Sequence, residues 1–159
     1  TLPLTLFPYT TLFRSEMFVP DIQRVAFAVA AGAIMLAGPA FAETVKYTAD
    51  LTADAEVPPT DSSATGTADV TVDTDAKTVS WTVTVEGLSG DPVAAHVHGP
   101  AEKSENAAPV VDMSGSLMEG SADITDEQIS ELEAGKYYVN VHTEQNPNGE
   151  IRGQLEAAM

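Results

Sequence analysis

The chain has 159 residues, a formal net charge of −17, no cysteine and three histidines. The absence of cysteine excludes a disulfide framework and any thiolate metal site. A charge this negative argues against nucleic acid and anionic membrane surfaces as partners.

Residues 5–15 read Thr-Leu-Phe-Pro-Tyr-Thr-Thr-Leu-Phe-Arg-Ser. That string is the translation of a common short-read sequencing adapter, so residues 1–16 are expected to stand outside the fold. Residues 17–42 have the layout of a signal peptide. Arg24 gives a weak positive start, 25–36 is an apolar, alanine-rich run, Gly38-Pro39 breaks it, and Ala40-Phe41-Ala42 suits signal peptidase. The run is short for a membrane span, which favours cleavage over the rival reading of an uncleaved anchor. The charges of this part cancel, Arg14 and Arg24 against Glu16 and Asp21, so residues 43–159 carry the whole −17. The expected mature product is one exported domain, periplasmic or secreted, with no membrane contact after cleavage.

From 45 to 53, Val45, Tyr47, Ala49, Leu51 and Ala53 alternate with polar residues, the period of a half-buried strand. Residues 54–63 hold Pro58-Pro59 and read as a loop or an edge that cannot pair fully. Ala68, Val70 and Val72 form the inner side of a strand over 64–72, and Asp73-Thr74-Asp75-Ala76 turns the chain. Val79, Trp81, Val83 and Val85 follow as the core side of the next strand. Residues 87–92 lead into a strand over 91–100, with Val93, Ala95 and Val97 on one face and His96 and His98 on the other. A polar excursion over 99–108 precedes short strands at 109–113 and 117–124.

Thr125 and Gln128 fit a capping box, Ile129 and Leu132 give the helix behind them an apolar side, and Gly135 stops it. The last unit, 137–155, is a hairpin. Tyr137, Val139 and Val141 alternate with Tyr138, Asn140 and His142, and Asn146-Pro147-Asn148-Gly149 supplies turn chemistry. A three-residue loop there predicts His142 opposite Gln154, Glu144 opposite Arg152 and Val141 opposite Leu155. One face would be core, and the other would carry Asn140, His142, Glu144, Glu150, Arg152 and Gln154. Strands at roughly ten-residue spacing indicate an all-β sandwich or barrel, with one short helix before the last hairpin.

All three histidines fall on the polar faces of two strands. Imidazole suits copper and zinc, so His96, His98 and His142 are candidate ligands of one ion with an open position. The alternative is structural hydrogen bonding beneath the 99–123 segment. For Arg152 a cross-strand ion pair with Glu144 outweighs anion steering or metal tuning. Glu150 has no nucleophile beside it and is assigned to structure, so no catalytic residue is expected.

Several ordered motifs carry a family resemblance. They are Glu56-Val-Pro-Pro, Ala64-Thr-Gly-Thr-Ala, His96-Val-His-Gly-Pro, Tyr138-Val-Asn-Val-His-Thr and Gly149-Glu-Ile-Arg-Gly-Gln. Together, over 47–155, they resemble the CHRD (chordin) domain of chordin and of many microbial secreted proteins. The resemblance implies an immunoglobulin-like Greek-key sandwich or barrel with some similarity to copper/zinc superoxide dismutase, and no particular activity. The dismutase also places a His-x-His strand in its copper site, but it has a fourth copper histidine and a separate zinc site. This chain has only three histidines, so dismutase chemistry does not carry over.

Two functions follow as expectations. The first is a non-catalytic extracytoplasmic binding module for an unidentified protein or ligand, with a copper or zinc site among its histidines. The second is a small copper-binding or redox protein centred on those histidines.

Overall fold

The computed structural model describes residues 43–159. The adapter-like stretch 1–16 and the signal segment 17–42 lie outside the described residues. Among the described residues no helix is long and apolar enough to cross a membrane.

The fold is an all-β, antiparallel barrel that is nearly closed. Its strands are β1 (Thr44–Thr52), β2 (Thr65–Asp73), β3 (Thr78–Glu86), β4 (Pro92–His98), β5 (Pro109–Asp112), β6 (Glu119–Asp123), β7 (Tyr138–Thr143), β8 (Ile151–Gln154) and β9 (Glu156–Ala157). One helix, α1 (Asp126–Glu133), precedes β7. The order across the sheet is β5-β4-β7-β8-β1-β2-β3-β6, with β9 pairing β1. The β3 to β4 connection therefore passes from one end of the run toward the other, as in a Greek key. The two ends meet through the segment that joins β5 to β6. Met113 N–H donates to Ala95 O, Val83 N–H donates to Met118 O, and the Trp81 indole N–H donates to Ser116 O at 2.9 Å. The exposed edges that an open sheet would leave are thus largely used up.

The first three strands follow their alternation closely. Tyr47, Ala49, Leu51, Ala68, Val70, Val72, Val79, Trp81 and Val83 are all buried in one core. The core gains its other wall from Ala95, Val97, Val139, Val141 and Ile151, and α1 closes one end with Ile129 and Leu132. The capping box at Thr125 and Gln128 is formed, and Gly135 follows the helix with φ of 71°. Val93 is a departure. It is 50% exposed, where the alternation put it inside, because the β4–β7 register slips between Pro92 and Ala94.

The hairpin register also differs from expectation. Asn140 pairs with Arg152 and Val141 with Ile151, so β8 is displaced by four residues relative to the predicted pairing. The Asn146–Gly149 turn does form, with Gly149 N–H donating to Asn146 O at 3.1 Å. It sits inside a wider loop that the strands re-enter only where Glu150 N–H donates to Val141 O. A shift of four keeps every side chain on its predicted face while changing its partner. Glu144 is exposed and Arg152 is 1% exposed, so the predicted ion pair between them does not exist.

Gly149 has φ of 126°, and a Cβ on it would stand 2.5 Å from Asn140 Nδ2. Both the dihedral and the contact reject a β-branched residue. Gly149→Val is expected to cost about 2 kcal/mol, measured by urea unfolding. A change below about 0.5 kcal/mol, the size of an ordinary surface substitution, would show that the loop relaxes freely.

Candidate metal centre

The outward side of β4, β7 and β8 is the one expected to be polar surface. It is instead covered by the 53–63 and 99–108 segments. Every residue of β7 is buried, and Asn140, His142, Glu150 and Arg152 are each at most 8% exposed. The barrel therefore has an apolar core inside and a second, polar layer outside this wall.

Pleat geometry puts His96 and His98 on that outer side of β4. The β4–β7 register sets His142 opposite Ala94, diagonal to His96, and Tyr138 opposite His98. The three imidazoles converge, with one ligand atom from each lying within 4.8 Å of the others. An ion with bonds of about 2 Å joins atoms up to about 4 Å apart, so small side-chain movements suffice for all three to ligate.

Hydrogen bonds orient two of the rings. His98 Nδ1–H donates to Ala107 O at 2.9 Å, and His142 Nδ1–H donates to Pro147 O at 3.1 Å. A carbonyl can only accept, so each Nδ1 carries the proton and each Nε2 presents a lone pair inward. His142 Nε2 lies 3.1 Å from His96 Nδ1. His98 Nε2 is buried and has no hydrogen-bond partner. On His96 the other nitrogen, Nε2, lies 3.8 Å from Asp112 Oδ1, across the β4–β5 pairing. Metal-bound histidines characteristically send their second nitrogen to a carbonyl or a carboxylate. Burial, ahead of any charge, pushes the His98 and His142 pKa values below the ordinary imidazole range and keeps both rings neutral. His96, with a side chain 21% exposed, is the one on the solvent side.

The polar layer continues away from the histidines. The Tyr138 ring is stacked on His98, with centroids 5.0 Å apart and planes 5° apart, and Arg152 Cζ lies 3.5 Å from the Tyr138 centroid. Arg152 donates to Asn106 Oδ1 and to Glu102 O, both at 3.2 Å. Asn140 Nδ2 donates to both carboxylate oxygens of Glu56 at 3.1 Å. Glu56 is 5% exposed, and burial, only partly offset by Arg152 and Asn140, pushes its pKa up to about 7. Glu150 is fully buried in a different setting. It accepts from Ser62 Oγ, Ser89 N–H, Ser89 Oγ and Thr143 Oγ1 at 2.6–2.8 Å. These bonds tie the segments of Ser62, Ser89 and Thr143 to one carboxylate.

The structure thus brings together all three predicted ligands. It also adds Glu56, Asn140 and Tyr138, which sequence reasoning did not single out as site residues. Glu56 sits next to Val57-Pro58-Pro59 in a segment that reads as a loop, and only the fold carries it to β7. The 99–123 segment meets the histidines at two points, Ala107 O accepting from His98 and Asp112 on β5 standing 3.8 Å from His96 Nε2.

No curated protein and no solved structure matches this chain. The CHRD domain family matches residues 47–155, a span that includes the three histidines, the buried Glu56 and Glu150, and Arg152, and the chain belongs to that family.

Proposed function

We propose that the chain is an exported, non-catalytic binding module, periplasmic or secreted, that holds one copper or zinc ion on His96, His98 and His142. Membership of the CHRD family and the signal-like composition of residues 17–42 support the extracytoplasmic setting. The observation that carries the metal reading is His98 Nε2. It is a buried acceptor without a partner, held by the Ala107 carbonyl so that its lone pair is free. A buried polar atom with no partner is costly unless something else satisfies it, and a metal ion beside two further imidazoles does so. Copper or zinc fits because the ligands are neutral nitrogens and no thiolate exists in the chain.

The test uses untagged protein. Metal analysis after purification and calorimetric titration with copper and zinc salts are expected to give one ion per chain. His142→Ala is expected to weaken binding by about 100-fold, the order associated with disrupting a metal's ligand shell. Binding equal to that of the alanine variant, or none at neutral pH, would leave the histidines as hydrogen-bonding residues only. Acidification should release the ion, because protonated imidazole cannot ligate. Since burial depresses the His98 and His142 pKa values, release is expected below the free-imidazole midpoint near 6.5 rather than at it. A midpoint above 6.5 would contradict this.

A further inference from the structure

Arg152 is an unusual neighbour for a metal centre. It is 1% exposed, and among the described residues it forms no ion pair. Its donors go to an amide oxygen and a carbonyl, both neutral, and its face rests on the Tyr138 ring. In the sheet β7 lies between β4 and β8, so Tyr138 on β7 lies between His98 on β4 and Arg152 on β8. A guanidinium is always protonated in a protein, so a full positive charge is stacked, through one phenol ring, against one of the three imidazoles. With little water between them the charge is weakly screened.

We propose that Arg152, acting through the Tyr138–His98 stack, biases copper in this site toward Cu(I) over Cu(II). This preference rests on the three-histidine metal reading. The three ligands are neutral, so the charge on the bound ion is not cancelled by the ligand shell. A nearby fixed cation then raises the free energy of the dication more than that of the monocation. For the couple in which Cu(II) takes one electron to become Cu(I), the reduction potential rises. Charge near a metal and the dielectric around it are established levers on potential. Glu56 works against Arg152. Its carboxylate is held by Asn140, the residue that pairs with Arg152 across β7 and β8. Arg152 is therefore a positioning and tuning residue, with no contact to the ion.

The experiment is spectroelectrochemistry of the copper-loaded chain at pH 8, with the electron supplied by the electrode through a soluble mediator. Native protein is compared with Arg152→Gln, Arg152→Lys and Glu56→Gln. Arg152→Gln is expected to change the Cu(I)/Cu(II) affinity ratio about tenfold in favour of Cu(II), which is a fall in potential of about 59 mV for one electron. Arg152→Lys keeps the charge and is expected to fall less. Glu56→Gln removes the opposing charge and is expected to raise the potential. If Arg152→Gln fails to fold, the sign of the Glu56→Gln shift decides. A purely structural role would move both variants the same way or neither, and either result overturns the proposal while leaving the metal site intact. If native protein takes up no copper at its histidines, the metal reading fails first and this preference fails with it.

Discussion

Replacing Glu150 by alanine is expected to destabilise the fold by about 4 kcal/mol at neutral pH, a large part of the margin of a domain this size. The carboxylate is fully buried, and its partners come from three separate segments: Ser62 before β2, Ser89 before β4 and Thr143 at the end of β7. Hydrogen bonds to a charged group are worth more than neutral ones. Truncation removes them all and leaves the hydroxyl of the fully buried Thr143 without its carboxylate partner. Trp81 is the single tryptophan and is 5% exposed, so its fluorescence in a urea titration reports the loss. A cost under about 1 kcal/mol, the range of an exposed interaction, would mean that water replaces the carboxylate without penalty.

The same residue predicts an acid limb. Burial pushes the Glu150 pKa up, but the bonds from Ser89, Thr143 and Ser62 outweigh it and bring it down to about 2, against 4.5 for the free side chain. A depressed carboxylate stabilises the fold fully above 4.5 and loses that contribution as pH falls toward 2. The loss amounts to about 3 kcal/mol over that window. The alanine variant should lack this limb, and its stability difference from native protein should shrink as pH falls.

The sequence made the inner barrel legible because its information there is local. In β1, β2 and β3, an apolar residue at every second position needs only a wall behind it, and the core supplies one. The same holds for α1, whose Thr125 and Gln128 cap each other three residues apart. Pleat parity was enough to place His96, His98 and His142 on one side. The outer layer was not legible, because it depends on contacts between residues far apart in the chain. Glu56 meets Asn140 across 84 positions, and Ser62 meets Glu150 across 88. Nothing near Arg152 in sequence says that 99–108 folds over it, so a charge opposite Glu144 read as a surface pair. The register error has a local cause. The Asn146–Gly149 turn chemistry was recognised, but Thr143 uses its hydroxyl on Asn146 N–H and on Glu150, which ends the ladder before the turn begins.

Between pH 5 and pH 8 the native fold is expected to lose stability relative to Glu56→Gln by an amount on the order of 3 kcal/mol. Burial raises the Glu56 pKa from 4.5 to about 7, with Arg152, Asn140 and Val57 pulling the other way. Below 4.5 the carboxyl is protonated in both folded and unfolded chains, and the group is neutral to stability. From 4.5 to 7 the unfolded chain ionises freely while the folded chain resists, so stability falls as pH rises, and above 7 the whole penalty is present. Glutamine stands in for the protonated carboxyl and keeps an oxygen for the Asn140 amide. The histidines complicate any single profile, since their depressed values make the fold more stable as pH rises through the same range. Taking the difference between native and variant cancels that contribution, because both carry the same histidines. Chemical denaturation of the two proteins at half-unit pH steps gives the curve. A difference that stays flat from pH 5 to 8 would show that Glu56 ionises as easily inside the fold as outside it. Arg152 would then be pairing with it fully, and the guanidinium would have less charge left to impose on His98.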